Sequence, residues 1–271
     1  NPFAGSATVD IAAASEVGVE SEPALAGIVV PPRSVIAVDL HSILPGRQAI
    51  SAAVVTRQGR VVAGAVHDSG ADISATGGLV AGLDWYLPAP APEGLSRSLV
   101  LFAPGTSEAA FQIDVYGPDG VVEAAYEDVI PAQSQVTIPL GDILEGPGAI
   151  RVLSANPVAA ALRFSGEGAN AVVPGVATPS PSWRLSGAGR LGDSVVHVFN
   201  PGDVEVTVEL QAGTGDPLTS VAVPPETAVD IPISARSIGG KLEADGDVVV
   251  TWTTASEEGF AGDAGDPLAP G

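Results

Sequence analysis

The densest cluster of reactive side chains is Ala65-Val66-His67-Asp68-Ser69-Gly70-Ala71-Asp72. Two carboxylates that face each other can share a proton and activate water. The stretches that align with this loop, Phe164-Ser165-Gly166-Glu167 and Thr254-Ala255-Ser256-Glu257, lack the motif. The loop therefore reads as a polar turn. His67 with Asp68 and Asp72 has the donor types for a metal. Yet His41, His67 and His197 are nowhere spaced i, i+2 or i, i+4 from one another, as ligand pairs commonly are. Asp263 and Asp266 lack the spacing and closing Glu of a calcium loop, so 261–271 is expected to be a flexible acidic tail. No Gly-rich loop leads into a helix and no Gly-x-Ser-x-Gly elbow occurs. No catalytic residue, cofactor or metal is expected, and the chain does not read as an enzyme.

Aromatics offer the other candidate chemistry, because sugar rings and partner side chains stack on flat faces. Trp85 and Tyr86 are adjacent, so on a strand one points inward and the other outward. Trp85 aligns with Trp183, which points to a core or junction role, while Tyr86 with Asp84 could form an outward platform for a glycan. The candidate ligand or partner contacts are Asp84, Trp85, Tyr86, Trp183 and Arg184. Trp252 falls on an apolar register and reads as core.

The elements that must position these residues follow from a repeat. Leu99-Val100-Leu101-Phe102-Ala103-Pro104-Gly105 matches Val195-Val196-His197-Val198-Phe199-Asn200-Pro201-Gly202, and Asn1-Pro2-Phe3 matches the end of both. Positions 7, 9 and 11 after the proline are Val9, Ile11 and Ala13; Phe111, Ile113 and Val115; and Val208, Leu210 and Ala212. All nine are apolar, with the period of two of half-buried strands. A second proline (Pro31, Pro131, Pro224) opens Ile36-Val38-Leu40, Val136-Ile138-Leu140 and Val229-Ile231-Ile233. A third anchor, at Gly59, Asn156 and Gly246, is expected to be a turn before Val61-Ala63-Ala65, Val158-Ala160-Leu162 and Val248-Val250-Trp252. Helical periodicity is absent; Leu40–Leu44 and Gly141–Leu144 have room for a single helical turn.

These patterns predict an all-β chain of three tandem immunoglobulin-like antiparallel β-sandwich modules. The boundaries fall at 1–80, 81–177 and 178–260, followed by the tail at 261–271. The first module lacks its N-terminal strands, because Trp85 and Trp183 sit in leaders that it does not have. Its edge is then open unless upstream residues or another chain fill it. Position 1 falls inside a repeat, which implies a piece of something longer.

Composition narrows the partners. With Lys+Arg 11 against Asp+Glu 32 and a net charge of -21, no basic patch can neutralise phosphates, so neither nucleic acid nor an anionic membrane surface is expected. No apolar run reaches the ~18 residues of a membrane span. Zero cysteines exclude a disulfide framework and thiol chemistry.

Asp84-Trp85-Tyr86-Leu87-Pro88, Asn200-Pro201-Gly202, Gly117-Pro118-Asp119-Gly120 and Val223-Pro224-Pro225 resemble a family of secreted or envelope-associated actinobacterial proteins of unknown function with tandem β-sandwich repeats. The resemblance spans essentially the whole chain. It implies an extracytoplasmic accessory role, with a protein of the cell envelope as partner. Because such proteins are often encoded beside membrane glycosyltransferases, it also implies an enzyme of that class as the partner. It carries over no catalytic residue, and Arg184-Leu185-Ser186 replaces Tyr86-Leu87-Pro88 in the third copy. Carbohydrate binding and a structural role in a surface filament or layer are the alternatives. The His67–Asp72 loop separately resembles that of retropepsin-type aspartic proteases, which place an apolar residue where His67 stands.

Overall fold

The structure, a computed structural model, describes residues 1–68, 73–166, 169–186, 188, 194–234, 239–256 and 259–268. Alternating apolar residues and Gly/Pro turns produce a nearly all-β chain of several antiparallel sheets. In the N-terminal stretch, β1 (Ala7–Ser15) is flanked on one side by β2 (Gly18–Glu20) and β3 (Ile28–Val30). On its other side runs β4 (Ile50–Gln58). A one-turn helix, α1 (Leu40–Ile43), is capped by Asp39, whose carboxylate accepts from the Ser42 amide at 3.1 Å. The hairpin β5 (Gly64–Asp68) and β6 (Ile73–Gly77) follows.

The middle stretch contains β7 (Gly82–Ala89), β8 (Ser96–Ala103), β9 (Ala109–Gly117), β10 (Gly120–Ile130), β11 (Ser134–Pro139), β12 (Gly148–Gly166) and β13 (Ala169–Pro174). The C-terminal stretch contains β14 (Ser180–Leu185), β15 (Ser194–Asn200), β16 (Val206–Ala212), β17 (Pro217–Val223), β18 (Thr227–Ile233), β19 (Gly240–Ser256), β20 (Gly259–Ala264) and β21 (Asp266–Pro267).

Two long strands organise these stretches. The first half of β12 pairs with β9 and β7, and its second half with β8 and β13. One strand thus belongs to both layers of a sandwich whose core joins Trp85, Ile113 and Val152 to Leu99, Leu101 and Phe164. β19 does the same, pairing with β16 and β14 and then with β15 and β20. This corrects the expected turns at Asn156 and Gly246. Both lie inside continuous strands that bend from one layer to the other, because the apolar side chains on either side must face the same core. At the bend the Asn156 amide donates to Glu108 O at 2.7 Å.

The expected flexible tail is also overturned for 261–268: β20 pairs with β19, and β21 pairs with β14. Residues 269–271 lie outside the described residues. In the first copy, Ile36 and Val38 form no strand. Their counterparts β11 and β18 pair with β8 and β15, whereas among the described residues no strand lies beside residues 34–39.

Two turns of matching sequence share one set of hydrogen bonds. The Asn200 side-chain amide reaches Val204 O, Val223 O and Pro224 O at 2.7, 3.0 and 3.1 Å, and its Oδ1 accepts from the Gly202 amide at 3.0 Å. Asn1 makes the same set, to Gly5 O, Val30 O and Pro31 O at 2.9, 3.1 and 3.1 Å, with Oδ1 accepting from Phe3. Downstream, Arg33, Gln133 and Glu226 take φ of 51, 55 and 52°, and their amides donate to Phe3, Gly105 and Gly202 carbonyls. Three non-glycine residues in the left-handed region at one repeat position show that the turn geometry overrides residue preference. No helix among the described residues is long and apolar enough to cross a membrane.

Asn200 is fully buried, so Asn200→Ala leaves carbonyls without their donor. The expected cost is about 2 kcal/mol of unfolding free energy, read as a lower chemical-denaturation midpoint. The middle copy already has Ala103 in this place and offers no equivalent to lose.

Candidate functional site

Along β7 the side chains alternate as the pleat requires. Trp85 and Leu87 point into the middle core, and Asp84 and Tyr86 point to the other face. Trp85 is 2% exposed, and its indole N–H donates to Val158 O at 2.8 Å. Trp183 on β14 repeats the arrangement at 0% exposure, donating to Ser180 O at 2.7 Å. Each indole lies against a glycine. A Cβ on Gly175 would come within 3.0 Å of the Trp85 ring, and one on Gly265 within 2.9 Å of Trp183. Both tryptophans are therefore core residues. Arg184 is exposed on the opposite face of its strand from Trp183.

Tyr86 and Asp84 lie at the junction of the middle and C-terminal stretches. Asp84 accepts two hydrogen bonds from Arg151, from Nε at 3.0 Å and Nη2 at 2.7 Å, and one from the Tyr86 hydroxyl at 3.2 Å. The Arg151 guanidinium lies 5.2 Å from the Tyr86 ring centroid, a cation–π contact. Across the junction, Phe199 packs on Tyr86 with centroids 6.5 Å apart and on Tyr116 at 4.8 Å. Within the middle stretch, Tyr86 N donates to Val176 O at 2.8 Å and Val176 N to Tyr86 O at 2.9 Å, which sets Val176 beside the ring. Tyr116, Ala149 and Val176 accordingly belong to one apolar cluster with Trp183, Val198 and Phe199.

This geometry shifts Tyr86 and Arg151 as well as Tyr116. Burial, with the Asp84 carboxylate beside it, pushes Tyr86 from 10.0 up to about 12. The hydrogen bonds from Arg151 to Asp84 hold the guanidinium above its ordinary range. A sugar could stack on Tyr86 only by displacing Arg151 or Phe199, so the outward platform is not an open surface. In the C-terminal copy Ser182 and Arg184 stand where Asp84 and Tyr86 do, and Lys241 pairs with Glu243 instead. The aromatic and acidic pair occurs where a neighbouring sheet covers it.

The remaining candidates do not assemble. His67 is half-buried on β5, and burial, with Arg163 nearby, lowers its pKa; a guanidinium there also opposes a metal cation. Ser69, Gly70, Ala71 and Asp72 lie outside the described residues, as do Glu167 and Glu257. Among the described residues no group of three His, Cys, Asp or Glu side chains is placed to hold a metal.

One cluster escaped the sequence reading. His197, buried on β15, contacts Asp230 Oδ1 through Nδ1 at 2.6 Å and Thr253 Oγ1 through Nε2 at 2.8 Å. Asp, His and Thr come from three adjacent strands on one face of the sheet, with Thr253 7% exposed. A carboxylate, an imidazole and a hydroxyl in line form a polar tie across three strands. The only sequence signal was that His197 occupies the off-position between inward Val196 and Val198.

The fold and junction define an all-β protein of antiparallel, sandwich-like sheets. The chain belongs to a family of unknown function (DUF5719), whose profile matches residues 1–234. No curated protein matches it. A similar solved structure, the crystal structure of the CupB6 tip adhesin from Pseudomonas aeruginosa, is 9% identical. The likeness covers 68% of this chain and 90% of that one at a TM-score of 0.11, a level that carries no argument.

Two outcomes follow. Above pH 10 the folded chain keeps the Tyr86 proton that the unfolded chain releases, so stability present below pH 10 falls as pH rises through about 12. Denaturation midpoints taken across that range should decline. Tyr86→Phe should remove its share of the slope and leave that of Tyr116 and Tyr126, whose hydroxyls burial also pushes up. Gly175→Ala forces a methyl against Trp85 and Ala160 O, each 3.0 Å away. A loss of about 1–3 kcal/mol is expected, read by Trp fluorescence during unfolding.

Proposed function

We propose that the chain is a non-enzymatic, extracytoplasmic interaction protein of the bacterial cell envelope. In this reading it comprises three immunoglobulin-like modules, with β20 and β21 completing the third. Its partner is a protein of the envelope, and the class implied is a membrane glycosyltransferase. One observation carries the reading: the polar and aromatic cluster on β7 and β12 joins two stretches instead of facing solvent. Arg151, Asp84, Tyr86, Tyr116 and Phe199 fix the angle between the middle and C-terminal sandwiches, so surfaces on both can meet a partner together. Rigid presentation reduces the ordering cost of binding.

The test uses the double variant Arg151→Ala with Tyr86→Ala. Loss of the half-buried ring and its ion pair should cost about 2 kcal/mol of coupling between the two stretches. Small-angle X-ray scattering should then show a larger radius of gyration. Detergent-solubilised envelope membranes containing a glycosyltransferase should bind the immobilised native chain saturably and the variant at least tenfold more weakly. Undiminished binding by the variant would overturn the proposal. So would turnover of a peptide or glycan by the purified chain that a single substitution abolishes.

A further inference from the structure

The three copies differ at one place. In the middle and C-terminal copies a Trp-bearing strand lies on the outer edge of the long strand, with Trp85 opposite Val152 and Trp183 opposite Leu242. Through the shared pairing of Ile11, Ile113 and Leu210, the position equivalent to Val152 and Leu242 is Val54 on β4. Val152 and Leu242 are 0% exposed; Val54 is 40% exposed. Among the described residues β4 pairs with β1 alone, so its outer N–H and C=O groups run unpaired beside Val54.

The resting place for the indole is present in the first copy as well. Gly78 N donates to Ala63 O at 3.0 Å, as Gly175 does to Ala160 O and Gly265 to Val250 O, both at 2.9 Å. A Cβ on Gly175 or Gly265 would strike an indole, whereas the three atoms nearest one on Gly78 all belong to Ala63. A second lane is open beside it. Among the described residues β5 pairs with β6 alone, while the corresponding half of β12 also pairs with β8 and that of β19 with β15. Residues 34–39, the counterparts of β11 and β18, form no strand, and Val35 is 93% exposed. Twelve of the eighteen large apolar side chains exposed among the described residues precede residue 81.

Both lanes are continuous with contacts already formed. The Asn1 nitrogen donates to Ser34 O at 2.9 Å, between residues whose counterparts, Ala103 with Ser134 and Asn200 with Thr227, are ladder partners. Phe102, the counterpart of Phe199, borders a cavity with Ala13, Val19 and Gln133, whereas Phe199 packs on Tyr86.

We infer that the N-terminal stretch is an acceptor for two antiparallel strands of the repeat's own kind, the second ending beside Asn1. The first runs along β4 and sets a Trp opposite Val54 above Gly78. The second fills the lane between β5 and residues 34–39. The inference deepens the interaction-protein reading and rests on it, since the filled lanes would complete the first sandwich that a partner meets.

The test is a fluorescein-labelled peptide of residues 82–103, which carries both strands, titrated into the chain and followed by anisotropy. Saturable one-to-one binding is expected, with amide-exchange protection appearing at residues 50–54. A Trp85→Ala peptide should bind at least tenfold more weakly. Val54→Asp in the chain, at an exposed position that leaves the fold intact by circular dichroism, should weaken binding as much. Equal binding of the two peptides, or an unchanged affinity of Val54→Asp, would overturn the inference. So would a native chain that is dimeric by light scattering and becomes monomeric with Val54→Asp, because a second copy would then occupy the edge. Peptide binding without envelope binding would overturn the functional reading alone, and the reverse result would overturn the acceptor alone.

Discussion

A strand in a sheet has hydrogen-bonding groups on both edges and side chains on both faces, and the rest of this structure depends on how those needs are met. β12 and β19 meet them by changing layers midway. Each pairs on both edges in both halves, so a single bent strand ties the two layers together without a crossover. Burying a large apolar side chain gains about 1.5–3 kcal/mol, and the fully buried set is drawn from both layers: Trp85, Leu87 and Ile113 from one, Leu99, Leu101 and Phe164 from the other. Where the described residues supply no paired edge, as beside β4 and residues 34–39, apolar side chains are exposed.

The same accounting explains the junction. Tyr86 and Asp84 lie on the outward face of β7, where an aromatic would normally meet water. Here a neighbouring sandwich brings Phe199 against it, and Arg151 satisfies the carboxylate with a two-pronged contact. The ion pair is about one-third exposed and contributes modestly by itself. The packing of Phe199 on Tyr86 and Tyr116 supplies the rest. Ser182 and Arg184, in the equivalent places of the C-terminal copy, have no such neighbour among the described residues.

Much of this was legible in the residues. The offsets from Pro2, Pro104 and Pro201 locate β1, β9 and β16, and the alignment of Trp85 with Trp183 anticipates two buried indoles in equivalent settings. The short helical turns at Leu40–Ile43 and Leu140–Asp142 also fall where the spacing leaves room for them. The signals misread were those whose meaning depends on a distant partner. Asn156 and Gly246 have turn chemistry, yet the chain continues through them because apolar residues on both sides belong to one core. Ile36 and Val38 have strand periodicity and, among the described residues, no strand beside them. Asp263 and Asp266 read as an acidic tail, and β19 and β14 recruit them into sheets.

By itself the sequence determined the period and the inward registers, because alternation is a local property that a pleated backbone converts directly into faces. Only the tertiary structure decided which strands bend between layers, that Tyr86 meets Phe199, and that His197, Asp230 and Thr253 converge. Those outcomes depend on edges and faces brought together from 33 to 113 residues apart, a separation over which side-chain patterning carries no information about pairing.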